Sequence, residues 1–523
     1  MTKFIFMTGG VVSGIGKGLS AASIGRLLKD RGFSVFMQKF DPYLNVFPGL
    51  LNPIQHGEPY VTYDGGETDL DLGHYERFID EKLSTDSSIS AGKVYKSVFQ
   101  KEERGDYKGN TIQVIPHVTD QIKSKVYKVA NDSKADIVIT EIGGTVGDIE
   151  SLPFIEAIRQ IYSENDHGDV LFIHTTLVPT VPGSNELKTK PTQHSYKQLM
   201  SYGIRPNIFV LRSDEIISED IKKKISLFCD IKPECVIQSE NVDLIYEVPI
   251  SLRRQGIDEQ ILKHLKLESN TDTFNKWVEM VERFKNLKNE INIAMVGQYV
   301  ELEDSYLSTN NALLDAGYNL STKVNIKFLS CKDIANNSLD EVFKDIDGII
   351  IPSGIGEIGL KSMLTTAKYA REHDIPTLGI ASGQHIMAIE FARNVLGIEN
   401  SSSEEFDEMN KNNIIKYNDY NVRKIGDSSI KIKDQSLAFD IYQNTLVVER
   451  HKNEFEISPS YEKKFEDNGF IISGKSDDGK SIEIIELSNN KFYLGVLYQP
   501  QYDSRPNRPH PLFIKFVNIA LGN

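Results

Sequence analysis

One stretch constrains this chain more than any other: Gly9-Gly-Val-Val-Ser-Gly-Ile-Gly-Lys-Gly18. It follows the short apolar run Phe4 to Met7 and precedes helical spacing from Ser20 to Asp30, which stops at Gly32. Phe33 to Met37 then predicts a second strand. A strand, a crossover helix and a strand within about 35 residues predict a parallel α/β unit. In that setting the backbone N–H groups of the loop and the helix N-terminus can cradle phosphates, with Lys17 as the point charge. The stretch is not a strict Walker A loop. Its glycine spacing is off by one, and Gly18 stands where Ser or Thr would bind magnesium. The competing reading is a glycine-rich turn that only reverses the chain. Lys17, directly after Gly16 at the helix start, favours phosphate.

The same alternation recurs downstream. Ala135 to Thr140, Val170 to His174 and Asn207 to Leu211 are buried-strand candidates with helical segments between them. A first α/β domain is predicted over residues 1–266. From Leu267 the character changes: Glu268 to Thr273 is polar, and Trp277 to Lys285 is a charged amphipathic helix. Residues 267–290 are read as a linker. Ile291 to Val296, Gly348 to Pro352 and Thr377 to Ile380 restart the buried-strand pattern, so a second α/β domain is predicted over 291–523. Both are expected to be doubly wound. The Asn- and Ser-rich residues 400–418 are read as a mobile surface segment. A length of 523 residues agrees with more than one domain, at roughly 100–200 residues each.

Lys plus Arg number 59 and Asp plus Glu 74, a formal charge of −15. Such a chain is a poor general polyanion binder, so neither nucleic acid nor a membrane is an expected partner. Nucleotide phosphates stay open to a few lysines and backbone amides. Cys229, Cys235 and Cys331 are too few for a disulfide framework or a cysteine-rich zinc site. The opening apolar run is too short for a signal peptide, and no run approaches the ~18–20 apolar residues of a membrane span. A cytoplasmic protein is expected.

If the loop lacks a hydroxyl ligand, carboxylates elsewhere must hold magnesium, which prefers hard oxygen donors. Glu67-Thr-Asp-Leu-Asp-Leu-Gly73 offers alternating acids, and Glu141 follows directly on a buried strand. That places Glu141 at the carboxyl edge of a sheet, where ligands bind in open α/β folds. The alternative is solvated acids in loops.

The chain resembles CTP synthases. The likeness lies in Gly9–Gly18, Lys39-Phe-Asp-Pro-Tyr-Leu-Asn45, Pro53-Ile-Gln-His-Gly-Glu58, Asp69-Leu-Asp-Leu-Gly-His-Tyr-Glu-Arg-Phe78, Glu141-Ile-Gly-Gly-Thr-Val-Gly-Asp-Ile-Glu-Ser151 and Lys188-Thr-Lys-Pro-Thr-Gln-His-Ser195. It implies a P-loop-like amidoligase domain followed by a class I glutamine amidotransferase-like domain. In that family ATP and magnesium serve to phosphorylate O4 of UTP, and ammonia displaces the phosphate. The ammonia comes from a glutaminase domain that GTP activates. The resemblance implies that Ser13, Gly14, Ile15, Gly16, Lys17, Gly18 and Arg212 bind ATP, with Lys17 and Lys39 on its phosphates. It implies Asp71 and Glu141 as magnesium ligands, and Lys188, Lys190, Gln193 and Lys224 as UTP ligands. Asp148 and Glu150 correspond to the product-feedback site, and a homotetramer is implied.

The second half departs from the family. In Gly379-Ile-Ala-Ser-Gly-Gln384 the elbow position that holds the nucleophilic cysteine is Ala381, and a methyl group cannot attack a carbonyl. Where the family has His-Pro-Glu, this chain has Gln499-Pro-Gln501. Neither amide titrates, so neither can act as base or as its charged orienter. Ser382 is the nearest hydroxyl and has no histidine partner in the matching motif, while His385 lies on the following helix. Ser353 stands in the oxyanion loop, and Ile358 removes a cation expected to meet GTP. Glu405 and Arg450 still match. On the amine-access side Pro53 and His56 are retained, whereas Pro59 replaces a small aliphatic residue. Phe47, Leu50 and Leu51 also differ there.

The expectation is a ligase of the CTP synthase type that does not hydrolyse glutamine. Its nitrogen donor is free ammonia, giving CTP, or another amine, giving an N4-substituted cytidine nucleotide. The alternative is a non-catalytic nucleotide-binding paralogue that co-assembles with a competent synthase.

Overall fold

The computed structural model describes residues 2–523 except 54–56, 182, 184–185, 355–358 and 419–422. His56 and Ile358 lie outside the described residues. The glycine-rich stretch joins strand β1 (Lys3–Gly9) to helix α1 (Lys17–Asp30), and β2 (Val35–Asp41) follows. Next in the first unit come α2 (Asp71–Ile79), β3 (Ser88–Ser90), β4 (Ile137–Ile142), β5 (Val170–Leu177), α3 (Lys190–Ser201), β6 (Ile208–Arg212) and β7 (Val236–Ser239). The sheet order is β7-β6-β5-β1-β4-β2-β3, parallel throughout. Parallel strands are covered on both faces and therefore read as unbroken apolar runs; all six residues of β4 are buried. This order puts β1 in the middle, with β4 between β1 and β2. The register sets Glu141 beside Met7 on one side and beside Lys39 on the other. The glycine loop, Lys39 and Glu141 therefore share the carboxyl edge of the sheet.

The chain packs as two units, Met1–Pro48 with Asp71–Val281, and Gly49–Leu70 with Glu282–Asn523. Residues 49–70, read from sequence as part of the first domain, belong to the second unit. The reason is specific packing within it. The hairpin Tyr60–Val61 with Glu67–Thr68 sets the Tyr60 ring 4.6 Å from Tyr502. Buried Arg450 donates Nη1 to Tyr60 Oη (3.1 Å) and to the Val61 carbonyl (3.0 Å). Glu58 accepts the Ser308 N–H at 2.8 Å. Within the stretch read as a linker, the helix Asn275–Lys285 forms as expected. Trp277 is buried against Phe78 and Tyr246 and donates Nε1 to the Tyr246 carbonyl, so this end is packed in the first unit.

The second unit is also α/β. Its main sheet contains β8 (Asn289–Gly297), β9 (Thr322–Ser330), β10 (Gly348–Ile351), β11 (Thr377–Ile380), β12 (Lys424–Ile432), β13 (Leu446–Asn453), β14 (Phe470–Ser476), β15 (Ile482–Leu487) and β16 (Tyr493–Val496). The order is β9-β8-β10-β11-β16-β15-β14-β12-β13. Pairings are parallel from β9 to β16 and antiparallel beyond. Ile291, Ile293 and Met295 of β8 enter one apolar layer, and Ala294 and Val296 the other, the two-residue alternation of a strand covered on both faces. Helix α4 (Ser382–Asn394) follows β11. Residues 400–418 are a surface segment only in part: 405–412 are largely exposed, whereas Ser401–Ser403 and Asn413–Ile415 are buried. Ser402–Ser403 pairs with Asn413–Tyr417, which pairs with Phe455–Ile457, and Ile414 and Ile415 are fully buried. Among the described residues no helix is long and apolar enough to cross a membrane.

Candidate functional site

A cavity of about 790 Å³ opens at the carboxyl edge of the first sheet. Ser13 to Leu19, Lys39, Asp71, Glu141, Asp148 and Glu150 all line it. Gly16, with φ 76°, occupies the left-handed region at the start of α1, which a side chain would strain. Lys17 runs back across Gly9, where a Cβ would come within 2.5 Å of Lys17 Cδ, and its Nζ donates to the Gly144 carbonyl at 2.7 Å. Lys39 Nζ pairs with Asp71 and lies 3.5 Å from Glu141 and 3.7 Å from Asp41. Tyr75 donates its hydroxyl to Glu141.

Gly18 now has a reason. A Cβ there would stand 2.4 Å from Asp71 Oδ1 and 3.4 Å from Glu141 Oε2. The two carboxylates reach the place that a loop hydroxyl would otherwise take. Three acids, buried Asp41 and Glu141 and half-buried Asp71, face two lysines. Burial pushes Asp41 up to about 6 and also raises Glu141. On Asp71 burial acts upward too, but the Lys39 charge and hydrogen bond outweigh it and hold the carboxyl low. Burial lowers Lys17 against the pull of Glu141. An excess of carboxylate over ammonium is a hard-oxygen donor set, and magnesium takes one or two carboxylates with phosphate and water. The residues therefore fit that ion. Among the described residues no group of three or more His, Cys, Asp or Glu is placed to hold a metal ion, so the fit rests on Asp71 and Glu141 with phosphate and water.

Sequence reasoning passed over Asp41, His74 and Tyr75 as site residues. Asp41 was accessible to it, two residues beyond Lys39 on the same face of β2. His74 and Tyr75 lie three and four residues beyond Asp71, one turn along α2. Burial holds His74 down to about 3, with Arg77 adding to the effect.

The remaining expected residues lie outside this cavity lining. Arg212, at the end of β6, donates to the carbonyls of Ser239 (2.9 Å) and Glu240 (3.1 Å) and to Asn241 Oδ1 (2.7 Å). Lys188 pairs with Glu186 at 2.6 Å, and the charge of Lys224 also acts on Glu186. Lys190, at the start of α3, places Nζ 5.7 Å from the Phe228 ring. Gln193 is buried and donates to Thr189 Oγ1.

In the second unit a cavity of about 340 Å³ is lined by Pro53, Pro59, Gly354, Ala381, Ser382, His385, Glu405 and Gln499, among others. Ala381 keeps the sharp elbow, with φ 51° and ψ −109°, a strained conformation for a residue with a Cβ. Gly383 behind it is obligatory, since a Cβ would come 2.0 Å from the Ile351 carbonyl oxygen. Gln501 Nε2 donates to Gln499 Oε1 at 2.6 Å. Ser382 Oγ accepts the Gly354 N–H at 2.9 Å. His385 is buried, its Nε2 has no hydrogen-bond partner among the described residues, and burial holds it down to about 4. Burial, with Glu454, pushes Glu405 up to about 7. The carbonyl of Pro59 accepts from Lys452 Nζ and Tyr502 Oη.

Comparison with known proteins covers the whole chain. Residues 3–267 match the family model for the CTP synthase N-terminus, and 301–519 match that for class I glutamine amidotransferase. The chain is 48% identical to a CTP synthase of Bacillus velezensis over 529 residues, covering 100% of this chain and 99% of that one. It is 49% identical to a CTP synthase of Clostridium kluyveri over 530 residues, with the same coverage. With a CTP synthase of Bacillus subtilis the identity is 47% over 529 residues, again across 100% and 99%.

Proposed function

The chain belongs to the CTP synthase family, and from that premise we propose that it is an ATP-dependent amidoligase acting on UTP without hydrolysing glutamine. The observation that carries this reading is the meeting of Lys17, Lys39, Asp71 and Glu141 around the glycine loop in one cavity. O4 of a uracil is a poor leaving group until it is phosphorylated. Transfer of the γ-phosphoryl group of ATP to O4, with loss of the N3 proton to solvent, leaves ADP and makes phosphate the leaving group. An amine then adds at C4, phosphate departs, and the amine nitrogen loses a proton. Phosphoryl transfer is catalysed chiefly by positioning and charge neutralisation. Loop amides with Arg212 hold ATP, and Lys17 and Lys39 meet its phosphates. Lys188, Lys190, Gln193 and Lys224 hold UTP, and Asp148 and Glu150 line the product-feedback site. Asp71 and Glu141 would hold magnesium, which would supply charge neutralisation on the triphosphate.

The nitrogen donor is ammonia or another amine. The neutral Gln501–Gln499 pair and the methyl of Ala381 support this, because they leave residues 381, 499 and 501 of the second unit without a thiol, an imidazole or a carboxylate. Pro53 and Pro59 line that cavity and are the described part of the amine-access side. The active form is a homotetramer, testable by light scattering.

Incubating the protein with UTP, ATP, magnesium and a panel of ammonium and primary amines, with product masses read out, tests the reading. Cytosine-nucleotide formation with amines, and none with glutamine alone, is expected. Asp71→Asn should abolish turnover and preserve assembly. A wild-type protein as inert as that variant would instead establish the non-catalytic paralogue.

A further inference from the structure

His174 is fully buried on β5, beside Thr8 of β1 in register. Its Nδ1 lies 2.8 Å from Thr8 Oγ1, and its Nε2 lies 2.8 Å from Ser195 Oγ. Ser195 is on α3, the helix that begins at Lys190 and carries Gln193. The same hydroxyl abuts the glycine loop: a Cβ on Gly10 would stand 1.6 Å from Ser195 Oγ and 3.1 Å from His174 Nε2. Gly10 N–H is bonded to the Thr175 carbonyl at 3.0 Å, one residue beyond His174. The imidazole thus spans the base of the loop and the helix in two hydrogen bonds. Hydroxyls can donate or accept, so a neutral ring satisfies both whichever nitrogen carries the proton. An apolar side chain would deprive the Ser195 hydroxyl of this partner and leave Thr8 only its longer contact to the Ile173 carbonyl at 3.5 Å.

We propose that His174 is a positioning residue that locks the helix carrying Lys190 and Gln193 to the glycine loop, so that the phosphate and pyrimidine sites are coupled through it. This rests on the amidoligase reading above. A histidine that only fills the core would affect stability and both affinities alike. A positioning histidine affects the coupling between them.

The test uses the full chain with UTP, a non-hydrolysable ATP analogue and magnesium. Calorimetry gives the UTP Kd with and without the analogue for wild type, His174→Leu, His174→Gln and Ser195→Ala. In wild type the analogue should tighten UTP binding by about fivefold or more, the range of ordinary site–site coupling. In His174→Leu and Ser195→Ala the tightening should fall below about twofold, with the analogue's own Kd nearly unchanged. His174→Gln, which can still bond a hydroxyl, should recover part of it. Full coupling in Ser195→Ala overturns the proposal even where His174→Leu fails to fold. A wild type that binds UTP and turns over but shows no tightening overturns it while leaving the amidoligase reading intact. A wild type that binds no UTP overturns both.

Discussion

Gln501 donates its amide hydrogen to Gln499 at 2.6 Å, so the two side chains read as standing at the histidine and glutamate positions of a glutaminase form a neutral pair joined by one hydrogen bond, while Gln501 Oε1 is buried with no partner among the described residues. Cysteine reactivity needs a thiolate and hence a base nearby. Ser382 further occupies the Gly354 N–H that an oxyanion would need. Ala381→Cys alone should therefore release no ammonia from glutamine above background. Adding Gln499→His and Gln501→Glu should raise hydrolysis by about a hundredfold or more, the usual scale of general-base help. A single Ala381→Cys variant with measurable glutaminase would show that another group, such as His385, serves as base.

Gly18→Ala separates activity from stability. Gly to Ala within a helix is ordinarily favourable by about 1 kcal/mol, and the new Cβ meets only the tip of Asp71 and Glu141. The carboxylates can move aside without breaking the core. Tm should change little while turnover falls on the order of a hundredfold, since a displaced ligand of 1 Å costs that much. Loss of folding in this variant would contradict the assignment.

Acid sensitivity follows from two histidines. Burial lowers His174 to about 3, with Lys17 adding to it, and lowers His385 to about 4. Below the ordinary value of about 6.5 the unfolded chain takes protons that the native chain refuses. The stability contribution is complete above pH 6.5 and is lost as pH falls toward 4 and 3. Each histidine adds a slope of about 1.4 kcal/mol per pH unit. Denaturant melts of His174→Gln and His385→Gln between pH 6.5 and 4 should each be flatter by about that amount. Acid limbs that coincide with wild type would exclude it.

Arg450 holds residues 49–70 to the second unit. It is fully buried, bonded to Tyr60 and Val61, and paired with Asp503 at 3.1 Å. Arg450→Met removes its bonds to Tyr60 Oη and the Val61 carbonyl and its pairing with half-buried Asp503, a loss of about 1–3 kcal/mol. Melts should show that loss, and limited proteolysis should cut within 49–70 faster than in wild type. Equal cleavage rates would place the anchoring elsewhere, on the Tyr60–Tyr502 contact.

The central parallel strands of both sheets were legible because burial on two faces writes unbroken apolar runs into sequence, whereas Ser88–Ser90, Val236–Ser239 and the half-exposed Thr322–Ser330 were not. Segments 424–496 were not, although Ile482–Leu487 and Tyr493–Val496 are buried throughout, since a short apolar run names no partner and no sheet. Residues 400–418 misled the reading because their polar composition hides Ile414 and Ile415.

By itself the sequence determined that a glycine loop stands between a strand and a helix with Lys17 at the helix start. It also determined that no cysteine, histidine or glutamate occupies residues 381, 499 and 501. These are local facts, carried by residue identity and short spacing. Only the tertiary structure decided that Asp71 and Glu141 meet over Gly18, that residues 49–70 belong with the second unit, and that His174 bridges Thr8 and Ser195. Those meetings depend on which strands lie side by side, and strand order is settled by burying both sheet faces together, which no local spacing encodes.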